Sequence, residues 1–205
     1  MPSIPRFQLT HGQVAWSICH GLPPDRRTLD ALRYLRQLGV PFTEEERGVG
    51  RGNRLVYQYD HLIECSVAIY AFRRGMKPTP IAEYLTSERA MLRKLYRATF
   101  QNSPEGAINE PWVKSRGKIR VTQGGEPNFL RLHPRFADNS GKIEIMGLED
   151  AITYQASLMD LIERYPDAVY PLVPLDRVVL ETVAWALVAP VTPPGRAPAS
   201  KVPDN

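Results

Sequence analysis

The stretch DRRTLDALRYLRQLGV, residues 25–40, decides how the fold is read. Leu29, Leu32, Leu35 and Leu38 recur at the spacing of one helix face. Arg26, Arg27, Arg33 and Arg36 fall among them, so the spacing predicts a helix over Arg26 to Leu38 with an apolar stripe and a basic remainder. Asp25 is a good N-cap, because its carboxylate can accept an orphan backbone N–H of the first turn. Gly39 fits the left-handed C′ position that ends a helix. Pro41 prevents the helix from restarting.

Upstream, Gln13 to His20 is a short helical segment with Val14, Ala15, Ile18 and Cys19 on one face, broken by Gly21-Leu22-Pro23-Pro24. Downstream, Thr43 to Asn53 is polar and contains Gly48, Gly50 and Gly52 together with Arg47, Arg51 and Asn53. It runs into Arg54-Leu55-Val56-Tyr57, a short β-prone segment, so the two together predict a wing. Asp60 is expected to cap a helix from His61 to about Arg74, which Gly75 stops. A short helix over Thr79–Leu85 and an Arg- and Lys-rich helix over Ser87–Phe100 follow.

This order resembles the DNA-binding domain of the MerR family of transcription regulators. Leu32-Arg33-Tyr34-Leu35-Arg36-Gln37-Leu38-Gly39-Val40 looks like the end of the family's recognition helix. Arg54-Leu55-Val56-Tyr57 looks like its wing strand, and Asp60-His61-Leu62 like the opening of its next helix. The 13 positions from Leu62 to Gly75 and the 6 from Gly75 to Ile81 match its helix, glycine turn and short helix. The resemblance covers Gln13 to Leu85. It differs in a longer connection from Gly21 to Leu32, a longer loop from Gly39 to Tyr57, and the lack of a long uninterrupted helix after Leu85, where the family dimerises.

The resemblance implies a winged helix-turn-helix that binds double-stranded DNA as a homodimer on a palindromic promoter site. It supports Arg33, Tyr34, Arg54 and Tyr57 as DNA-binding residues. The basic pattern adds Arg26, Arg27, Thr28 and Arg36 on the helix and Arg47, Arg51 and Asn53 on the wing. Arg73, Arg74 and Lys77, flanking Gly75, are candidates for clamping the outer backbone. Arginine displaces counterions from phosphates, and in the major groove it reads guanine as a bidentate donor. The charge balance agrees: residues 1–100 carry 15 Lys and Arg against 9 Asp and Glu, whereas residues 101–205 carry 11 against 13. The other class considered is an architectural or partner-recruiting DNA-binding module of a phage, plasmid or chromosome-maintenance system.

An enzyme is not expected. Gly48-Val49-Gly50-Arg51-Gly52 echoes a phosphate loop, but no Gly-Lys-Ser/Thr opens a helix after it. His11, His20, His61 and His133 are scattered without nucleophile partners, and only His133 has arginine neighbours, Arg131 and Arg135. Cys19 and Cys65 are expected to be reduced and buried, and no metal or cofactor is expected. With no membrane-length apolar run and no secretory pattern, the expected location is the cytoplasm, at the nucleoid.

The expected division is a DNA-binding domain over 1–100, an α+β effector or oligomerisation region over 101–189, and a disordered Pro-rich tail over 190–205. The fold class is therefore mainly α with small β elements. Lys118–Thr122, Phe129–Leu132 and Lys142–Ile145 are β-prone, and Leu148–Tyr165 and Leu175–Val188 are helical in period. RNA polymerase or another protein is the candidate partner of the second region. Trp112, Phe129, Phe136, Tyr154 and Trp185 are candidates for lining an effector pocket there. Leu175–Val188 is apolar on nearly all sides, so part of it is expected to meet a second chain.

Overall fold

The computed structural model describes residues 2–47, 55–103, 129–132, 143–146 and 172–191. The chain is mainly helical, with small β elements. Helices α1 (His11–Ile18), α2 (Arg26–Gln37), α3 (Glu44–Arg47), α4 (Tyr59–Arg73), α5 (Pro78–Ser87) and α6 (Arg89–Gln101) come first. Strands β1 (Phe129–Leu132), β2 (Ile143–Met146) and β3 (Leu172–Pro174) follow, and β3 runs directly into α7 (Leu175–Leu187).

Local chemistry sets the helix ends. Thr10 and Gln13 form a reciprocal capping box at α1: the Gln13 N–H donates to Thr10 Oγ1 and the Thr10 N–H to Gln13 Oε1. Asp25 caps α2 through a 2.6 Å bond from the Thr28 N–H. Gly39 and Gly75 end α2 and α4 in the same way. Each takes a positive φ, +99° and +96°, and the residue after it donates back to the carbonyl of Leu35 or Ala71. That is the Schellman arrangement, which glycine adopts without a Cβ penalty. Helix α4 starts at Tyr59, so Asp60 lies inside its first turn instead of capping it.

Helix α4 is the hub. Its residues from Tyr59 to Ile69 are all buried, and α1, α2, α5, α6 and α7 all pack on it. Helix α2 lays Thr28, Ala31, Leu32 and Leu35 into this core at spacings of three and four. Leu29 and Leu38, on the expected stripe, are only partly buried.

Helix α7 packs against α1, α4 and α6 and so completes the core of the N-terminal helices. Its apolar surface is also already covered: Leu175, Val179, Val183 and Ala184 are fully buried within the single chain. Of its large apolar residues, only Leu187 remains well exposed. The second chain invoked to cover this helix is not needed for that purpose.

The three strands form an antiparallel sheet in the order β2-β1-β3. Phe129 pairs with Met146 on one side and Pro174 on the other, and Leu130 with Ile145 and Val173. Val173 is fully buried, which joins the sheet's β3 edge to the helical core. The expected segments Lys118–Thr122 and Leu148–Tyr165, and the tail from Thr192, lie outside the described residues. No helix among the described residues is long and apolar enough to cross a membrane.

Candidate nucleic-acid interface

Because α2 buries one face, it turns Arg26, Arg27, Asp30, Arg33, Tyr34 and Gln37 outward. Asp30 sits between two of the arginines, 3.6 Å from Arg26 Nε and 2.9 Å from Arg33 Nη1. The Arg26 side chain is 96% exposed and Tyr34 is 45% exposed, an unusual position for a large aromatic ring. Arg27 stacks its guanidinium over the Phe72 ring at 5.1 Å. Arg26, Arg27, Asp30 and Tyr34 border a groove of about 560 Å³ whose apolar floor includes Ala31, Phe72 and Pro78. The face therefore offers three arginines, one carboxylate and one exposed phenol on a single rigid helix. Such a helix can present bidentate donors to an anion or to base edges.

Several of the residues singled out in the sequence are used elsewhere. Thr28 is buried; its backbone N–H is held by Asp25 and its hydroxyl accepts from Arg73 Nη2 at 3.3 Å. Tyr57 is also buried, edge-on to Phe42 at 4.8 Å, with its hydroxyl 3.0 Å from His11 Nδ1. Neither side chain is free to touch DNA. The Tyr57 backbone bridges Leu9 through two 2.9 Å bonds. Arg36 is half-buried beside Tyr57, where burial raises the phenol's pKa and the Arg36 cation partly opposes that rise. Burial, with the nearby cations of Arg36 and Arg33, holds the His11 pKa below its usual value.

Arg47 belongs to α3 and lies half-buried over the turn that ends α2; a Cβ at Gly39 would stand 3.1 Å from its Nη2. Arg51, Asn53 and Arg54 lie outside the described residues. Arg73 ties α1 to α2, donating to the Ile18 carbonyl, Cys19 Sγ and Thr28 Oγ1. Arg74 folds back on Tyr70, whose hydroxyl accepts at 2.9 Å. Lys77 is exposed at the start of α5. Both cysteines are free and buried, and Trp185 is a core residue.

A second group of arginines serves the fold. Arg89 grips the fully buried Glu64 through Nε and Nη2, at 3.0 and 2.7 Å from Oε1, and donates to the Gly39 carbonyl. Arg93 pairs with Glu46 at 2.9 Å and donates to the Pro41 carbonyl, and Arg97 pairs with Asp60. His61 joins them, its Nε2 3.2 Å from Glu46 Oε1. The Gln58 N–H donates to His61 Nδ1, so the network assigns the neutral ring its proton on Nε2. These bonds fasten the 39–47 segment to α4 and α6.

The electrostatics of this cluster split two ways. Burial pushes the Glu64 carboxyl up to about 7, against the pull of Arg89 and Arg93. Burial also opposes ionisation of Glu46, but the hydrogen bonds from Arg93, the Thr43 N–H and His61 outweigh it and hold Glu46 well below the usual carboxylate range.

Comparison of the chain with protein families, curated proteins and solved structures finds no match.

The sequence carries a signal for the Arg89, Arg93 and Arg97 ion pairs. Arg89, Arg93 and Arg97 recur every four residues, and so do Asp60 and Glu64, which is how two facing helix stripes of opposite charge read.

Proposed function

We propose that this chain is a sequence-specific DNA-binding regulator whose α1–turn–α2 unit reads duplex DNA, in the manner of a MerR-type winged helix-turn-helix. The observation that carries the reading is the outward face of α2: Arg26, Arg27, Arg33 and Tyr34 stand exposed on a helix held rigidly by the core behind it. Arginines on such a helix reach guanine edges and phosphates, and an exposed tyrosine offers a flat, amphipathic contact. The 48–54 loop, with Arg51, Asn53 and Arg54, supplies a wing in this reading. Lys77 and Arg74 supply outer backbone contacts. The stretch between α6 and α7 is the candidate for effector or partner contacts in this reading, with RNA polymerase the candidate partner. The unit acts as a homodimer on a palindromic site, at the nucleoid.

The test is selection of duplexes from a random library by the full chain, followed by affinity measurements across a salt series. We expect one enriched motif with two-fold symmetry. Changing Arg26, Arg27 or Arg33 to alanine should lower the magnitude of the salt slope by about one each where the contact is to phosphate. Loss of a base contact should instead relax preference at one position by roughly 1–3 kcal/mol. No enrichment, or unaltered binding in the triple variant, overturns the reading. A stable protein partner combined with duplex binding that lacks any promoter effect would favour the architectural alternative.

A further inference from the structure

Between the ends of α1 and α4 and the face of α7 lies a cavity of about 240 Å³, of whose lining the DNA reading uses only Arg74. His20, Tyr70, Arg73, Arg74, Arg177 and Glu181 line its polar side. Three arginines from two helices therefore face one concave space with a single carboxylate. Arg73 and Arg74 donate to neutral partners, a carbonyl, a thiol and two hydroxyls. Glu181 is shared between Arg177 at 2.9 Å and His20 at 3.6 Å. His20 takes a left-handed conformation, φ +52°, which a non-glycine residue adopts at a cost, and its ring ends beside Glu181.

We propose that this cavity binds a small free oxyanion, a phosphate or a short di- or tricarboxylate. Guanidinium groups match both chemistries through paired N–H donors. Cations of one sign around a concave low-dielectric wall concentrate a counter-anion beyond what a flat surface does. Size limits the ligand: pockets for drug-sized molecules run roughly 300–1,000 Å³, so this one takes something smaller. Glu181 acts as the resident competitor for Arg177, and the incoming anion displaces it. Through Arg73, which also holds Ile18, Cys19 and Thr28, the anion contacts the junction between α1 and α2.

The experiment needs no DNA, so its failure is separate from failure of the DNA reading. The full chain is melted in rising sodium phosphate, and separately in citrate, against sodium chloride at matched ionic strength. A saturable rise in Tm is expected with at least one of the two anions. Arg177→Ala should weaken the apparent affinity tenfold or more, and Glu181→Gln should strengthen it severalfold. Both positions are on the partly exposed side of α7, so the variants should remain folded. No rise beyond chloride, or a rise unchanged in both variants, overturns the proposal. A separate duplex titration distinguishes the source of the anion: loss of duplex affinity in Arg177→Ala without any free-anion effect also overturns the proposal, and assigns the cavity to DNA backbone phosphate.

Discussion

The indole of Trp185 lies directly on Gly21: a Cβ built at Gly21 would stand 2.3 Å from Cζ3 of the ring. Gly21 also has φ +77°, a conformation that side chains resist. The ring is wedged edge-on against Trp16 at a centroid distance of 5.4 Å. A residue near the end of the described chain thus closes over the turn between α1 and α2. Gly21→Ala should therefore meet both a steric and a backbone penalty, on the order of 2–4 kcal/mol together. Trp185→Ala should cost about 3–5 kcal/mol, as large aromatic deletions do. Denaturant titration measures both; a Gly21→Ala variant as stable as the parent would show that the contact is not tight.

The same contact governs where the chain can be cut. Without α7, the faces of α1, α4 and α6 that it covers would be exposed. A fragment ending at Ser103 should lack a cooperative melting transition and should expose apolar surface to a hydrophobic dye. Adding a peptide spanning residues 172–191 should restore part of the transition. A fragment that melts cooperatively alone would place the boundary near residue 100 after all.

What the sequence showed and what it hid follow from range. Both ends of α2 and the C-terminal end of α4 were legible because a cap and a left-handed glycine act within four residues, as Asp25, Gly39 and Gly75 do here. The outward set Arg26, Arg27, Arg33 and Tyr34 was legible because helical period alone separates it from Leu32 and Leu35. Thr28 and Tyr57 were misplaced because a polar residue gives no local sign that it will be buried. Only the tertiary partners, Arg73 for Thr28 and Phe42 and His11 for Tyr57, decide it. The place of α7 was hidden for the same reason: an all-round apolar helix announces burial but not what buries it.

Glu64 gives the molecule a distinctive pH response. Its folded pKa, about 7, lies above the ordinary carboxylate value, so the folded state binds a proton more readily than the unfolded state. The resulting stabilisation is fully present below about pH 4.5 and is lost as pH rises through 7. His11, His20 and His61, whose pKa values are lowered mainly by burial, act in the opposite direction below about pH 6.5. Glu46 acts only at lower pH still. The readout is therefore the difference between the parent and Glu64→Gln. The parent's relative stability should fall between pH 4.5 and 7.5, and thermal melts at half-unit steps test it. A flat difference would mean that Arg89 keeps Glu64 ionised throughout.

Asp30 offers the sharpest test of the α2 face, because the expected change is a gain. Its carboxylate is half exposed and engages both Arg26 and Arg33, so it cancels one of the charges that face presents. Exposed pairs of this kind stabilise a helix by only a few tenths of a kcal/mol. Asp30→Asn should therefore leave the melting temperature nearly unchanged while releasing two guanidinium groups. If α2 meets DNA, the variant should bind all duplexes more tightly, and its salt dependence should steepen by up to about one. The increase should be similar for specific and unrelated sequences, because the repulsion removed lies between a carboxylate and phosphates rather than base edges. Tighter binding that spares the selected site would place Asp30 at a base. Weaker binding to every duplex would show that Asp30 holds Arg26 and Arg33 in the poses that DNA requires. No change at any salt concentration would remove this face of α2 from the interface and leave DNA contact to the 48–54 loop.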